Sequence, residues 1–178
     1  MSELLDRLPG PDGGAVVVAR TVGAEEISTA AIRRYVEAHE MTSPLHSDEA
    51  AARAEGYESL IAPWSMLLTA AMPAYWEPGG EPLRPGFLPP YMWTRLGLPG
   101  SEMVTASVDI EFLEPLRVGD RITTTYTIVR TTPKATRVGD GRYVDFALEF
   151  HRQDGRLVAV ERTSIYCYTP FAAEGEHR

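Results

Sequence analysis

A chain of 178 residues is the size of one domain, and 44% hydrophobic with 24% charged residues gives it both a core to bury and a surface that water tolerates. Seventeen basic against twenty-five acidic residues leave a net charge of −8, which repels nucleic acid and anionic lipid surfaces, so neither is expected as a partner. The longest apolar run, residues 60–72, is interrupted by Pro63 and falls short of the ~20 residues a bilayer span needs. Residues 1–14 lack the apolar stretch of a secretory signal, and the single Cys167 excludes an intramolecular disulfide, so a reducing cytoplasm is the expected location.

In chain order, a Gly/Pro-rich lead precedes a β-branched run at residues 15–18 that predicts a short strand. Ser28 or Thr29 then caps a helix whose Ile32, Tyr35 and Val36 recur at helical spacing, with His39 on the same inward or half-inward stripe. Thr42, Ser43 and Pro44 break it. Ser47 is expected to cap a short second helix with Asp48 and Glu49 in its first turn, ended by Gly56. Pro63 suits the first position of a third helix, 64–72, that is apolar on nearly every face and must be wrapped by other elements.

Half of the fourteen prolines fall in residues 73–99, among several glycines, which predicts a long insertion at about 73–100. It also carries Tyr75, Trp76, Phe87, Tyr91, Met92 and Trp93, and reads equally as a self-packed lid or as a wall lining a substrate. From Val104 the period becomes two, with Val104, Ala106, Val108, Ile110 and Phe112 on one side of a half-buried antiparallel strand. Strands at 122–130, 143–152 and 157–168 follow. Val144, Phe146, Leu148 and Phe150 share one face of the second of these, and Asp154-Gly155 makes the last hairpin turn. The whole is one α+β domain, residues 1–178, with a helix covered by an antiparallel sheet.

Three stretches carry a resemblance to a known family. Pro44-Leu45-His46-Ser47-Asp48, continuing through Gly56-Tyr57 to Leu60-Ile61-Ala62-Pro63, is similar to the hydratase segment of the MaoC-like, FAS1-type dehydratases. Phe112-Leu113-Glu114-Pro115-Leu116-Arg117-Val118-Gly119-Asp120 resembles the strand and turn that follow there, and residues 132–163 resemble their final hairpin. The resemblance implies a hotdog fold, an antiparallel sheet wrapped around a central hydrophobic helix, acting on an acyl-CoA or acyl-carrier thioester. It also implies a second hotdog subunit, identical or different, because one short sheet leaves open edges.

Hydrating a conjugated thioester takes a base for the water, an acid for the α-carbon and donors for the enolate oxygen. The family supplies acid and base in a D-x-N-P-x-H pattern. Pro44 and His46 fit its last positions, but Ser43 replaces the Asn and Met41 the Asp, leaving adjacent Glu40 as the substitute carboxylate. His46 is thus the candidate catalytic residue, Glu40 a weaker one, and Ser43 a substrate contact. His46 as a plain loop-to-helix contact is the competing reading.

The amino end of the third helix would offer the backbone N–H of Trp64 or Ser65 to the thioester oxygen, Pro63 having none. The competing reading is a buried helix end satisfied by Ser65. His151 is expected at a strand end in solvent, His177 at a frayed terminus, and Cys167 as a small apolar strand residue. Arg95, Arg117 and Arg130 are candidates for phosphate contacts.

No motif for a metal, a nucleotide cofactor or a nucleophile elbow is present, and no cofactor is expected. Thioesterases of this fold often carry an acid on the central helix, whereas residues 63–72 hold none. Three functions remain: one half of a heteromeric hydratase whose partner keeps the acid and base, a homodimeric hydratase relying on His46, and a non-catalytic module holding a hydrophobic acyl or polyketide-like ligand.

Overall fold

The computed structural model describes residues 14–74, 78–79 and 102–171. The lead at 1–13, most of the expected insertion, Arg95 and His177 lie outside these residues. In order the chain forms β1 (Val16–Val22), α1 (Thr29–Ala38), a 3₁₀ turn (Pro44–His46), α2 (Glu49–Ala54), a second 3₁₀ turn (Trp64–Met66) running into α3 (Leu67–Ala70), then β2 (Glu102–Phe112), β3 (Thr123–Thr136), β4 (Gly139–His151) and β5 (Leu157–Pro170).

The strands make one antiparallel five-stranded sheet in the order β1-β3-β4-β5-β2. Strict alternation sets its two faces. Val144, Phe146, Leu148 and Phe150 of β4 are all buried, beside Ile128 of β3 and Ile165 and Cys167 of β5, and these make the inner face. Across it lie Ile32 of α1 and Ala62, Met66, Leu67 and Ala71 of the central segment. The two layers close one core.

β3 and β4 run longer than periodicity suggested, to Thr136 and from Gly139. Pro133 lies inside β3. It is tolerated because β1 pairs β3 only as far as Ile128, so beyond it β3 is an edge whose missing N–H disturbs no ladder. The final hairpin turns at Asp154-Gly155, where Gly155 takes φ +84° and the Asp154 carboxylate accepts the Arg156 N–H at 2.9 Å.

α1 and α2 end in the same way. Glu40, with φ +50°, and Gly56, with φ +88°, adopt the left-handed conformation, while the N–H of Met41 bonds Val36 O and that of Tyr57 bonds Ala52 O. Ser28 Oγ caps α1 through the Ala31 N–H at 3.1 Å. For α2 the cap is Asp48, whose carboxylate accepts from Ala50 and Ala51, and not Ser47, which closes the preceding 3₁₀ turn.

Three other expectations need correction. His39 is exposed at the C-cap of α1, stacked on Tyr35 at 4.1 Å, because the helix stops before its stripe turns inward. β2 carries a bulge between Thr105 and Ser107, so Val104 stands on the face opposite Val108, Ile110 and Phe112. The central segment is a three-residue 3₁₀ turn plus a four-residue α-helix with one covered side: Met66, Leu67 and Ala71 are buried, whereas Leu68 and Met72 stand about half exposed. One sheet has one inner face, which covers one flank of a helix.

Candidate functional site

The segment leading into Trp64 is where the two motif-bearing stretches meet. Ile61 bridges Arg117 in antiparallel fashion, and the Ala62 N–H donates to Leu116 O at 2.8 Å, so the turn after β2 is tied to the start of the central segment. The same Ile61 receives the third connection: its N–H bonds Leu45 O at 3.2 Å, and its carbonyl accepts from His46 Nδ1 at 2.8 Å. A carbonyl can only accept, so Nδ1 carries a proton, and in the neutral ring the lone pair is then on Nε2. His46 is 9% exposed on its 3₁₀ turn, oriented by backbone alone.

Three of the candidates sit beside it. Ser43 precedes the turn, half-buried, with its carbonyl accepting the His46 N–H at 3.4 Å. Trp64 is 38% exposed, its ring 5.0 Å from that of Phe112 on the edge strand, and Ser65 is exposed next to it. The Trp64 and Ser65 N–H groups open the 3₁₀ turn, where no intrahelical acceptor exists. In so short a segment any donor effect comes from these individual N–H groups, because the summed dipole of a long helix is absent.

Glu40 is exposed at the end of α1, where its backbone serves the helix stop. Among the described residues no hydrogen bond or ion pair joins it, or any other carboxylate, to His46. Met41 is half-buried one residue on.

The second motif closes on itself. Buried Arg152 lies 3.3 Å from Asp120 and 3.6 Å from Glu114, which also meets Arg156 at 3.6 Å and Arg117 at 4.0 Å. Asp120 takes the Arg117 N–H at 2.8 Å, and burial pushes its carboxyl above the ordinary value despite the Arg117 N–H and the Arg152 charge, which pull it down. Arg130 is engaged with Asp145 at 2.8 Å on the outer face of the sheet.

Cys167 is fully buried, its thiol pushed up to about 11 by burial, which makes it a packing residue. His151 ends β4 half-buried. Among the described residues no group of three or more His, Cys, Asp or Glu side chains could hold a metal ion, and no helix is long and apolar enough to cross a membrane. One buried carboxylate on the inner face, Glu161, was not singled out in the sequence; its signal was a charge at the inward period of an otherwise apolar strand.

A five-stranded antiparallel sheet closed over a short central helix, with a histidine held at the helix entry, defines a protein of the hotdog fold. Residues 15–161 match the family model described as FAS1-like, dehydratase domain region, and the chain belongs to that family of MaoC-like hydratases and dehydratases. It is similar, at 29% identity over 160 residues, to a probable enoyl-CoA hydratase alpha subunit of Thermomonospora curvata; the match covers 85% of this chain and 48% of that one, so the chain spans about half the length of this relative.

Two solved structures share the fold. One is in the ChsH1-ChsH2 complex from Mycobacterium tuberculosis, with TM-score 0.73, 20% identity, and 99% and 97% of the two chains covered. The other is the MaoC-like dehydratase from Rhodospirillum rubrum, with TM-score 0.58, 19% identity, and 89% and 95% covered.

Proposed function

We propose that this chain is, as a single cytoplasmic domain, the catalytically degenerate half of a heteromeric enoyl thioester hydratase, acting on acyl-CoA or an acyl-carrier thioester. The observation that carries this reading is that, among the described residues, no carboxylate partners His46: in the family's motif Met41 takes the position of the acid, and Glu40 is spent on ending a helix. Water addition needs a base at the water and an acid at the α-carbon, and one neutral imidazole does not supply both at once. The second subunit brings the missing pair. This chain contributes the Trp64 and Ser65 N–H groups to the enolate oxygen and its apolar surfaces to the acyl group. The relative named as an alpha subunit supports a multi-chain assembly.

The exposed apolar side chains support it too. Trp64, Leu68 and Met72 on the central segment and Val108 and Phe112 on the β2 edge are 37–54% exposed, and a strand edge bearing such residues invites pairing. The acidic surface keeps nucleic acid and anionic membranes away.

The test is hydration of crotonyl-CoA and of a bulky enoyl-CoA by the purified chain, alone and after co-expression with a second hotdog chain. Turnover in the mixture only is expected. Robust turnover by the chain alone that vanishes with His46→Ala makes it a homodimeric hydratase, and tight ligand binding without turnover in either preparation leaves a binding module.

A further inference from the structure

On the inner face of a sheet a buried polar atom needs a partner, and among the described residues Thr21 Oγ1, Thr124 Oγ1 and one oxygen of Glu161 lack one, Glu161 being the carboxylate of the three. The odd-numbered residues of β5 point inward, among them Ala159, Ile165 and Cys167 of the core. Glu161 and Thr163 share that face, each 6% exposed. Thr163 Oγ1 donates to Glu161 Oε1 at 2.5 Å, while Oε2 is buried with no hydrogen-bond partner among the described residues. None of the ion pairs among the described residues includes Glu161. Leaving such an oxygen unpaired is costly, so it is open to a donor brought by a bound molecule.

The position says where that donor arrives. Glu161 pairs with Leu148 on β4 and Ile110 on β2. On the same face the β2 residues at either side of Ile110, Val108 and Phe112, are 54% and 37% exposed, and Phe112 lies under Trp64. The carboxylate is therefore flanked, one strand in from the edge, by apolar side chains of β2 that stand partly exposed beside the central segment.

An ionised Glu161 accepts a hydrogen bond and a protonated one donates it. A hydroxyl satisfies both states and brings no second charge into the core. We propose that Glu161 is a ligand-recognition residue whose Oε2 pairs with a hydroxyl on the acyl group, several carbons from the thioester. The inference rests on the thioester reading above. Diagonal neighbours on adjacent strands lie ~7–8 Å apart, so a carbonyl held at Trp64, above Phe112, sets the hydroxyl roughly six carbons away.

Calorimetric titration of the full chain, alone and in its co-purified assembly, with octanoyl-CoA and with octanoyl-CoA hydroxylated at one carbon from 5 to 8 tests this. The best hydroxylated probe is expected to bind at least fivefold tighter than octanoyl-CoA. Glu161→Leu should erase that preference while changing octanoyl-CoA affinity less than twofold, and Glu161→Gln, which keeps the volume and one acceptor, should narrow it. If Glu161→Leu does not fold, Glu161→Gln decides alone.

No hydroxyl preference in the wild type, or an equal loss for both probes, overturns the proposal and leaves the thioester reading standing. So does dissociation of the assembly by Glu161→Leu without any change in preference, which would assign the donor to the second chain. Failure of every acyl-CoA to bind removes the thioester reading and this inference with it.

Discussion

The loop carrying His46 and the turn carrying Asp120 are joined through Ile61, Ala62, Leu116 and Arg117, yet they treat their polar groups in opposite ways. Around Asp120, three arginines and two carboxylates lie within 4.0 Å of one another in a closed network. Around His46, one ring nitrogen is fixed by a carbonyl and the other has no hydrogen-bond partner among the described residues. A network whose charges are all paired within the chain is scaffolding, and a held group with an unspent atom is where chemistry or a partner enters.

The scaffolding side breaks most severely. Arg152→Ala leaves Asp120, 4% exposed, without its cation, and losing one member of a buried pair costs about 3–5 kcal/mol. Urea unfolding should show that loss, and a change below about 1 kcal/mol would mean that the network does not hold the turn. The opposite side is sharpened by Met41→Asp, which restores a carboxylate five residues before His46. Hydration by the isolated chain should rise at least tenfold over background, and no gain with the fold intact would remove Met41 from the place of the lost acid.

Smaller effects follow at Glu40 and Asp120. Glu40→Gly relieves a left-handed non-glycine residue and should stabilise the protein by about 1 kcal/mol without altering turnover of the assembly. Loss of turnover would return Glu40 to the mechanism. Asp120 has a folded-state value above 3.8, so the folded chain binds its proton more tightly than the unfolded one does. Its contribution to stability therefore grows as the pH falls through the folded value towards 3.8 and is lost above it, and Asp120→Asn should abolish this component in acid unfolding curves.

Much of this comparison is legible in the sequence. The two-residue period of β4, a cap at Ser28 or Thr29 and the Asp154-Gly155 turn each follow from local chemistry, and each is found, the cap at Ser28. What local chemistry misses is what depends on the neighbours. The β2 bulge flips Val104 because pairing with β5 skips a residue, which a uniform alternation hides. Residues 63–72 look buried on all sides, whereas half of that apolar surface faces outward because a single sheet covers only one flank. The candidate residues near His46 were nameable from motif spacing, but the proton on Nδ1 depends on Ile61, fifteen residues away. Glu161 stands inside an apolar period, and its burial depends on the strands paired on either side of it.

The degenerate-subunit account is tested most directly by kcat for enoyl-CoA hydration in the assembled two-chain complex, with and without His46→Ala in this chain. A kcat within about threefold of wild type is expected, since acid and base belong to the other subunit. A fall of about 10²–10⁴, the usual contribution of a general acid or base, would contradict the account and make His46 the catalytic base.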